Sequence, residues 1–152
     1  MTSLNLSTRV AASAEQMYEL ICDPSQLATI LPQVQAIKVL RRKSARKQLT
    51  EWLVDIEGII VRWVQEDSYG PHFLTWNFRM IEGDYQDYYG HWNCQPISEH
   101  RTLLRVDAHF KWGLPVLERY YQGVLDRKAQ HYYHRMVAAL RLHVMKTVRT
   151  HG

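Results

Sequence analysis

An α+β fold, in which an antiparallel meander is covered on one face by a long terminal helix, is predicted by three features of the sequence. Six consecutive stretches between residues 34 and 112 alternate apolar and polar positions. All five tryptophans fall on the apolar side of that alternation, one in each of five successive strands. The stretch after Gly113 and Pro115 then runs to about residue 147 with no internal proline and with apolar residues at three-to-four spacing.

The elements follow in order. Leu4, Leu6, Thr8 and Val10 share a face of a first strand over residues 4–10. Ser13 has the features of an N-cap, with Glu15 and Gln16 in the first turn and Met17, Tyr18, Leu20 and Ile21 forming a short amphipathic helix. Asp23-Pro24-Ser25 ends that helix and caps a second, which finishes near Leu31-Pro32.

The meander strands are placed at about 34–42, 47–57, 59–68, 72–81, 84–96 and 101–112, with Gly58, Gly70-Pro71 and Gly83 marking turns. The inward sets are Trp52, Val54 and Ile56; Ile59, Val61, Trp63, Gln65 and Asp67; and Leu74, Trp76, Phe78 and Met80. They continue with Tyr88, Gly90, Trp92 and Cys94, then Leu104, Val106, Ala108, Phe110 and Trp112. Outward lie Glu51, Asp55 and Glu57, then Thr75, Asn77 and Arg79, and Arg105, Asp107, His109 and Lys111. A slip of one residue would turn a whole strand over, so the agreement of five tryptophans checks the register. The helix contributes Leu117, Tyr121, Leu125, Tyr132, Met136, Leu140 and Val144 to the cover.

Length and composition bound the rest. At 152 residues the chain is sized for a single domain, with no repeat, low-complexity tract or linker to divide it. No apolar run spans a membrane, the start lacks a signal-peptide pattern, and Cys22 and Cys94 match no metal-type spacing. A cytoplasmic protein with both thiols reduced and buried is the expectation. The formal charge of +4 is local: without Arg41, Arg42, Lys43, Arg46 and Lys47 it would be −1. That patch reads either as a solvated hairpin tip or as a peripheral contact with an anionic partner such as lipid headgroups.

Order and motifs together resemble the helix-grip fold of the SRPBCC superfamily, which includes START-related lipid-binding domains, polyketide cyclases and coenzyme-Q-binding-like proteins. The resemblance is carried by VAASAEQMYELICDPSQLATILP, by GIIVRWVQED, and by EGDYQDYYGHWNCQPI with its Gly-Asp turn and Gly-x-Trp strand. It implies a seven-stranded sheet wrapped around the terminal helix, residues 114–147, with a pocket between them. The pocket wall would comprise Trp52, Trp63, Gln65, Trp76, Phe78, Tyr88, Trp92, Phe110 and Trp112 from the strands, with Tyr121 and Tyr132 from the helix. Such a wall suits a lipid, quinone or polyaromatic ligand.

The alternative that the resemblance offers is a cyclase/dehydrase acting on an aromatic or polyketide precursor. Its candidate groups are Asp67, as a general acid or base, and Tyr88 approaching it across the pocket. In the aromatase/cyclases a pocket arginine follows the strand tryptophan by four residues; here that position is Asp67, and Arg62 points outward. The strand-end setting of Asp67, beside Ser68, Tyr69 and Gly70, favours a solvated carboxylate.

Other chemistries lack their signatures. His131 and His134 stand three apart on the helix without a third ligand, so no metal is expected. No phosphate-cradling loop or nucleophile elbow occurs, no cofactor is implied, and Cys94 reads as a small buried hydrophobe. Tyr85, Tyr88 and Tyr89 are not interleaved with cations, which argues against nucleic acid. Tyr85, Tyr89 and Ile97 would instead add apolar area to an edge, leaving monomer and dimer both open. Gly90 is read as a point where the strand bends or a ligand approaches.

Overall fold

The structure, a computed structural model, describes residues 1–56, 58–113 and 115–151, with the side chains of 115–120 and 147–151 excepted. The element order is β1 (Thr2–Val10), α1 (Ala14–Ile21), α2 (Pro24–Ile30), β2 (Val34–Ser44), β3 (Lys47–Ile56), β4 (Ile59–Gly70), β5 (Thr75–Gly83), β6 (Asp87–Ser98), β7 (Arg101–Lys111) and α3 (Pro115–His151). The seven strands form one sheet in the order β1-β7-β6-β5-β4-β3-β2, every neighbouring pair antiparallel. This is the helix-grip arrangement: β1 is carried across to pair with β7, and the three helices pack on one side.

Local chemistry sets the helix starts. The Ser13 hydroxyl accepts from the Gln16 amide at 3.1 Å while the Gln16 side chain accepts from the Ser13 amide at 3.0 Å, a complete capping box for α1. Asp23 caps α2 through the amides of Ser25 and Gln26, and Pro24 fills the first helical position, where no amide is needed.

The alternation in the strands becomes burial. Trp52, Val54 and Ile56 on β3, Val61 and Trp63 on β4, and Trp76 and Phe78 on β5 are all buried. So are Trp92 and Cys94 on β6 and Leu104, Val106, Ala108 and Phe110 on β7. From α3, Ala129, Tyr132, Tyr133, Met136, Leu140 and Val144 close over them. Glu57 and the Leu117 side chain lie outside the described residues.

Four expectations change. β5 begins at Thr75 rather than 72, because the turn after Gly70 runs on through His72 and Phe73 to Leu74, whose φ is +50°. β6 begins at Asp87 rather than 84, since Asp84, Tyr85 and Gln86 form the connection. There Asp84 accepts from the Arg62 amide at 2.8 Å and the Gln86 amide donates to the Lys111 carbonyl at 2.8 Å. Those anchors turn Tyr85 inward, so it is 5% exposed and adds nothing to an edge. Ile59, at the first residue of β4, is about half exposed rather than inward.

Two glycines hold close approaches. A Cβ on Gly90 would lie 2.1 Å from the Asp107 carbonyl oxygen and 2.9 Å from Ala108 Cα, so its role is tight β6–β7 contact rather than ligand approach. A Cβ on Gly83 would lie 2.5 Å from Trp63 Cβ, at a φ of +147° that disfavours a side chain.

Candidate functional site: a tryptophan wall tied to a buried carboxylate

The strand register brings the indoles into one ladder. Trp52 and Trp63 are cross-strand partners with ring centroids 5.8 Å apart and planes at 11°. Trp52 stacks next on Trp76 at 6.1 Å, and Trp76 on its own cross-strand partner Trp92 at 6.2 Å. Tyr133 of α3 continues the series at 6.0 Å from Trp92. These are offset-stacking separations, at which the quadrupoles attract.

Stacked indoles in a core need acceptors for their N–H groups, and β3 and β4 supply them. Trp76 Nε1 donates directly to Asp67 Oδ1 at 2.8 Å. Trp63 Nε1 donates to Gln65 Oε1 at 2.7 Å, and Gln65 Nε2 passes the chain to Asp67 Oδ1 at 2.7 Å. Trp52 Nε1 donates to Thr50 Oγ1 at 3.0 Å, and that hydroxyl donates to Asp67 Oδ2 at 2.6 Å. Three tryptophans thus converge on one carboxylate.

The expectation of a solvated Asp67 is therefore overturned: it is 1% exposed. The strand does not end at residue 68 but continues to Gly70, which keeps Asp67 paired opposite Phe78 and Gln48 inside the sheet. Loss of water raises its pKa to about 6, and the hydrogen bonds from Thr50, Trp76 and Gln65 limit the rise.

Between this wall and the helices lies a cavity of about 20 Å³, room for a single water. Of the predicted wall residues, Trp52, Trp63, Gln65, Trp76, Phe78, Tyr88, Trp92 and Tyr132 line it. Phe110, Trp112 and Tyr121 do not. Phe110 lies against Tyr88, ring centroids 4.2 Å apart, and is wholly buried. Trp112 is just past β7 and donates from Nε1 to Thr2 Oγ1 at 3.0 Å. Tyr121 is about half exposed: at this level α3 meets β1 through Gln122 and Asp126, both bonded to Thr2, and Tyr121 is turned away from them.

The structure adds Tyr133, Met136 and Leu140 of α3, Ile21 of α1, and Leu27 and Leu31 at α2. Tyr133 was legible in principle: a helix gripped by a sheet buries a stripe wider than one row, so the neighbour of Tyr132 belongs to it. The α1 and α2 residues read in sequence as ordinary amphipathic positions.

The groups of the catalytic alternative occupy separate networks. Asp67 is bonded to Thr50, Gln65 and Trp76 and does not line the cavity. The Tyr88 hydroxyl is paired with that of Tyr133. Burial pushes both phenols well above their ordinary range, and the Cys94 thiol up to about 12. The Tyr85 hydroxyl is buried without a hydrogen-bond partner among the described residues. His131 and His134 are exposed on α3, and no cluster suited to a metal occurs among the described residues. No helix in the described residues is long and apolar enough to cross a membrane.

Residues 10–137 match the family model described as polyketide cyclase/dehydrase and lipid transport. The fold is similar to that of a protein from Thermus thermophilus, at TM-score 0.88 and 22% identity over 95% of this chain and 98% of the other. It is similar to the Zhui aromatase/cyclase from a Streptomyces species, at TM-score 0.86 and 19% identity over 99% and 97%. A START superfamily protein from Mycobacterium smegmatis matches at TM-score 0.84 and 19% identity over 97% and 99%. No curated protein matches. At these identities the structural likeness speaks to fold, and the family match over most of the sequence makes this chain a member of the polyketide cyclase/dehydrase and lipid transport family.

Proposed function

We propose that the protein binds a hydrophobic small molecule, a lipid, quinone or polyaromatic compound, against the tryptophan wall. The observation that carries this reading is that the N–H groups of Trp52, Trp63 and Trp76 are all turned back into the sheet. What these three indoles leave to the cavity is apolar ring surface, with their own donors already bonded. Such a surface rewards flat or apolar ligands and penalises polar ones, whose groups would go unpaired.

With room for one water, a ligand gains space by displacing side chains opposite the wall. Leu27, Leu31, Met136 and Leu140 are the flexible apolar candidates, and methionine in particular repacks at low cost. Family membership supports the same class of ligand. The commitment of Asp67 and Tyr88 to different networks supports binding over an acid–base mechanism shared between them. Incubation with a lipid extract followed by native mass spectrometry tests the reading. A retained apolar adduct of one-to-one stoichiometry is expected; recovery of bare protein alone, with no thermal shift from any quinone or lipid, would contradict it.

A further inference from the structure

The basic hairpin covers a second cavity, distinct from the aromatic one. The β2–β3 tip, the end of β4 and the C-terminal turn of α1 enclose a solvent-facing cleft of about 260 Å³. Arg42, Arg46 and Lys47 stand at its rim, and Tyr18, Gln48 and Tyr69 line it more deeply. No carboxylate lines it among the described residues, and none of the three cations forms an ion pair there. The carboxylate of Glu66, on the adjoining strand, is taken by Lys43 at 2.6 Å.

The sequence reads these cations either as a solvated hairpin tip or as a contact for an anionic partner, and the register sets one of them, Arg42, exposed at the end of the inner face. Arg42 pairs with Gln48, and Gln48 with Asp67, so Arg42 shares the inner face of the sheet with those two buried residues. The tip is also anchored: the Tyr69 amide donates to the Arg46 carbonyl at 2.8 Å. Gln48 Nε2 donates to the Tyr69 hydroxyl at 2.8 Å, which leaves the phenolic proton for another acceptor.

The geometry points to an anion site in this cleft that takes a phosphate group. The two guanidinium forks of Arg42 and Arg46 can each meet a different phosphate oxygen, and the Tyr69 hydroxyl adds a donor below. A carboxylate has only two oxygens and would leave part of that set unmet. The volume exceeds one phosphate and leaves room for the first carbons of its ester. The phosphate can belong to a soluble ester or to a lipid headgroup. Occupancy of the cleft does not depend on a ligand in the aromatic cavity.

The test titrates the full chain with glycerol 3-phosphate and follows the backbone amide resonances of Gln48 and Tyr69 by NMR. It compares wild type with the Arg42→Ala/Arg46→Ala variant and with Arg79→Ala, which removes a cation from the opposite face. Melting temperatures of all three proteins serve as the folding control. Saturable one-to-one binding is expected, weakened by about tenfold or more in the double variant and unchanged in Arg79→Ala. Absence of saturable shifts, or equal weakening in both variants, would overturn the proposal. Vesicles of phosphatidylcholine with and without phosphatidic acid separate the sources. Binding to the acidic vesicles that glycerol 3-phosphate displaces identifies a lipid head, whereas binding of the ester alone identifies a soluble one. Vesicle binding undiminished in the double variant would overturn the site.

Discussion

Asp67 accepts the indole N–H of Trp76 at 2.8 Å from within a sheet where it is 1% exposed. Through Thr50 and Gln65 the same carboxylate fixes Trp52 and Trp63. It is a positioning group for the wall, and the consequences of removing or neutralising it are distinct.

Asp67→Ala strips acceptors from Thr50, Gln65 and Trp76 at once. Each buried donor left unmet costs about 1–3 kcal/mol, so a loss on the order of 3 kcal/mol or more is expected. Asp67→Asn keeps one acceptor oxygen and should cost less. Urea unfolding gives both values, and near-ultraviolet circular dichroism should show loosened tryptophans in the alanine variant.

The raised pKa of about 6 makes stability depend on pH with a definite sign. An acid whose folded pKa exceeds its unfolded value binds its proton more tightly when folded. Its contribution is full at low pH, is lost as pH rises from about 4 to about 6, and is flat above 7. Set against Asp67→Asn, which has no proton to lose there, wild type should fall by on the order of 3 kcal/mol across that window. Unfolding free energies of both proteins from pH 4 to pH 8 check it.

The buried tyrosines should divide. The Tyr85 hydroxyl has no partner among the described residues, so Tyr85→Phe should be neutral or stabilising. Tyr88→Phe and Tyr133→Phe each orphan the other hydroxyl and should cost about 1–2 kcal/mol, while the double variant costs much less than their sum. A double-mutant cycle by thermal or chemical unfolding measures this coupling.

Gly90 and Gly123 make a paired prediction. Gly90→Ala drives a Cβ into the Asp107 carbonyl and should destabilise by more than about 2 kcal/mol. Gly123→Ala meets nothing within 4 Å on an exposed face of α3 and should stabilise by about 0.5–1 kcal/mol. Melting temperatures of the two variants should move in opposite directions.

Architecture was the more legible part, because period-two alternation and capping residues act locally. Ser13, Asp23 and four tryptophans buried on successive strands all sit where pattern and turn chemistry place them. The site was legible in its wall and obscure in its polar logic. Asp67 read as solvated because strand length depends on pairing with β3 and β5, which no local signal states. Tyr85 read as an edge residue because its inward turn depends on Asp84 meeting the Arg62 backbone across the sheet. Tyr121 read as a wall residue because apolar spacing chose the helix face there, whereas Gln122 and Asp126 are what meet Thr2 of β1 and leave Tyr121 outward. Free volume is a property of packing, and a run of large aromatics is equally compatible with a hollow and with the 20 Å³ found here.

Ligand binding at the wall is tested most directly by tryptophan fluorescence titration with a quinone and with a neutral polyaromatic compound. Wild type is compared with Leu140→Phe, which fills the space opposite the ladder, and Leu140→Ala, which enlarges it. Saturable one-to-one quenching in wild type, tightened in the alanine variant and abolished in a folded phenylalanine variant, is the predicted result. Quenching that never saturates, or that is the same in all three proteins, would contradict it.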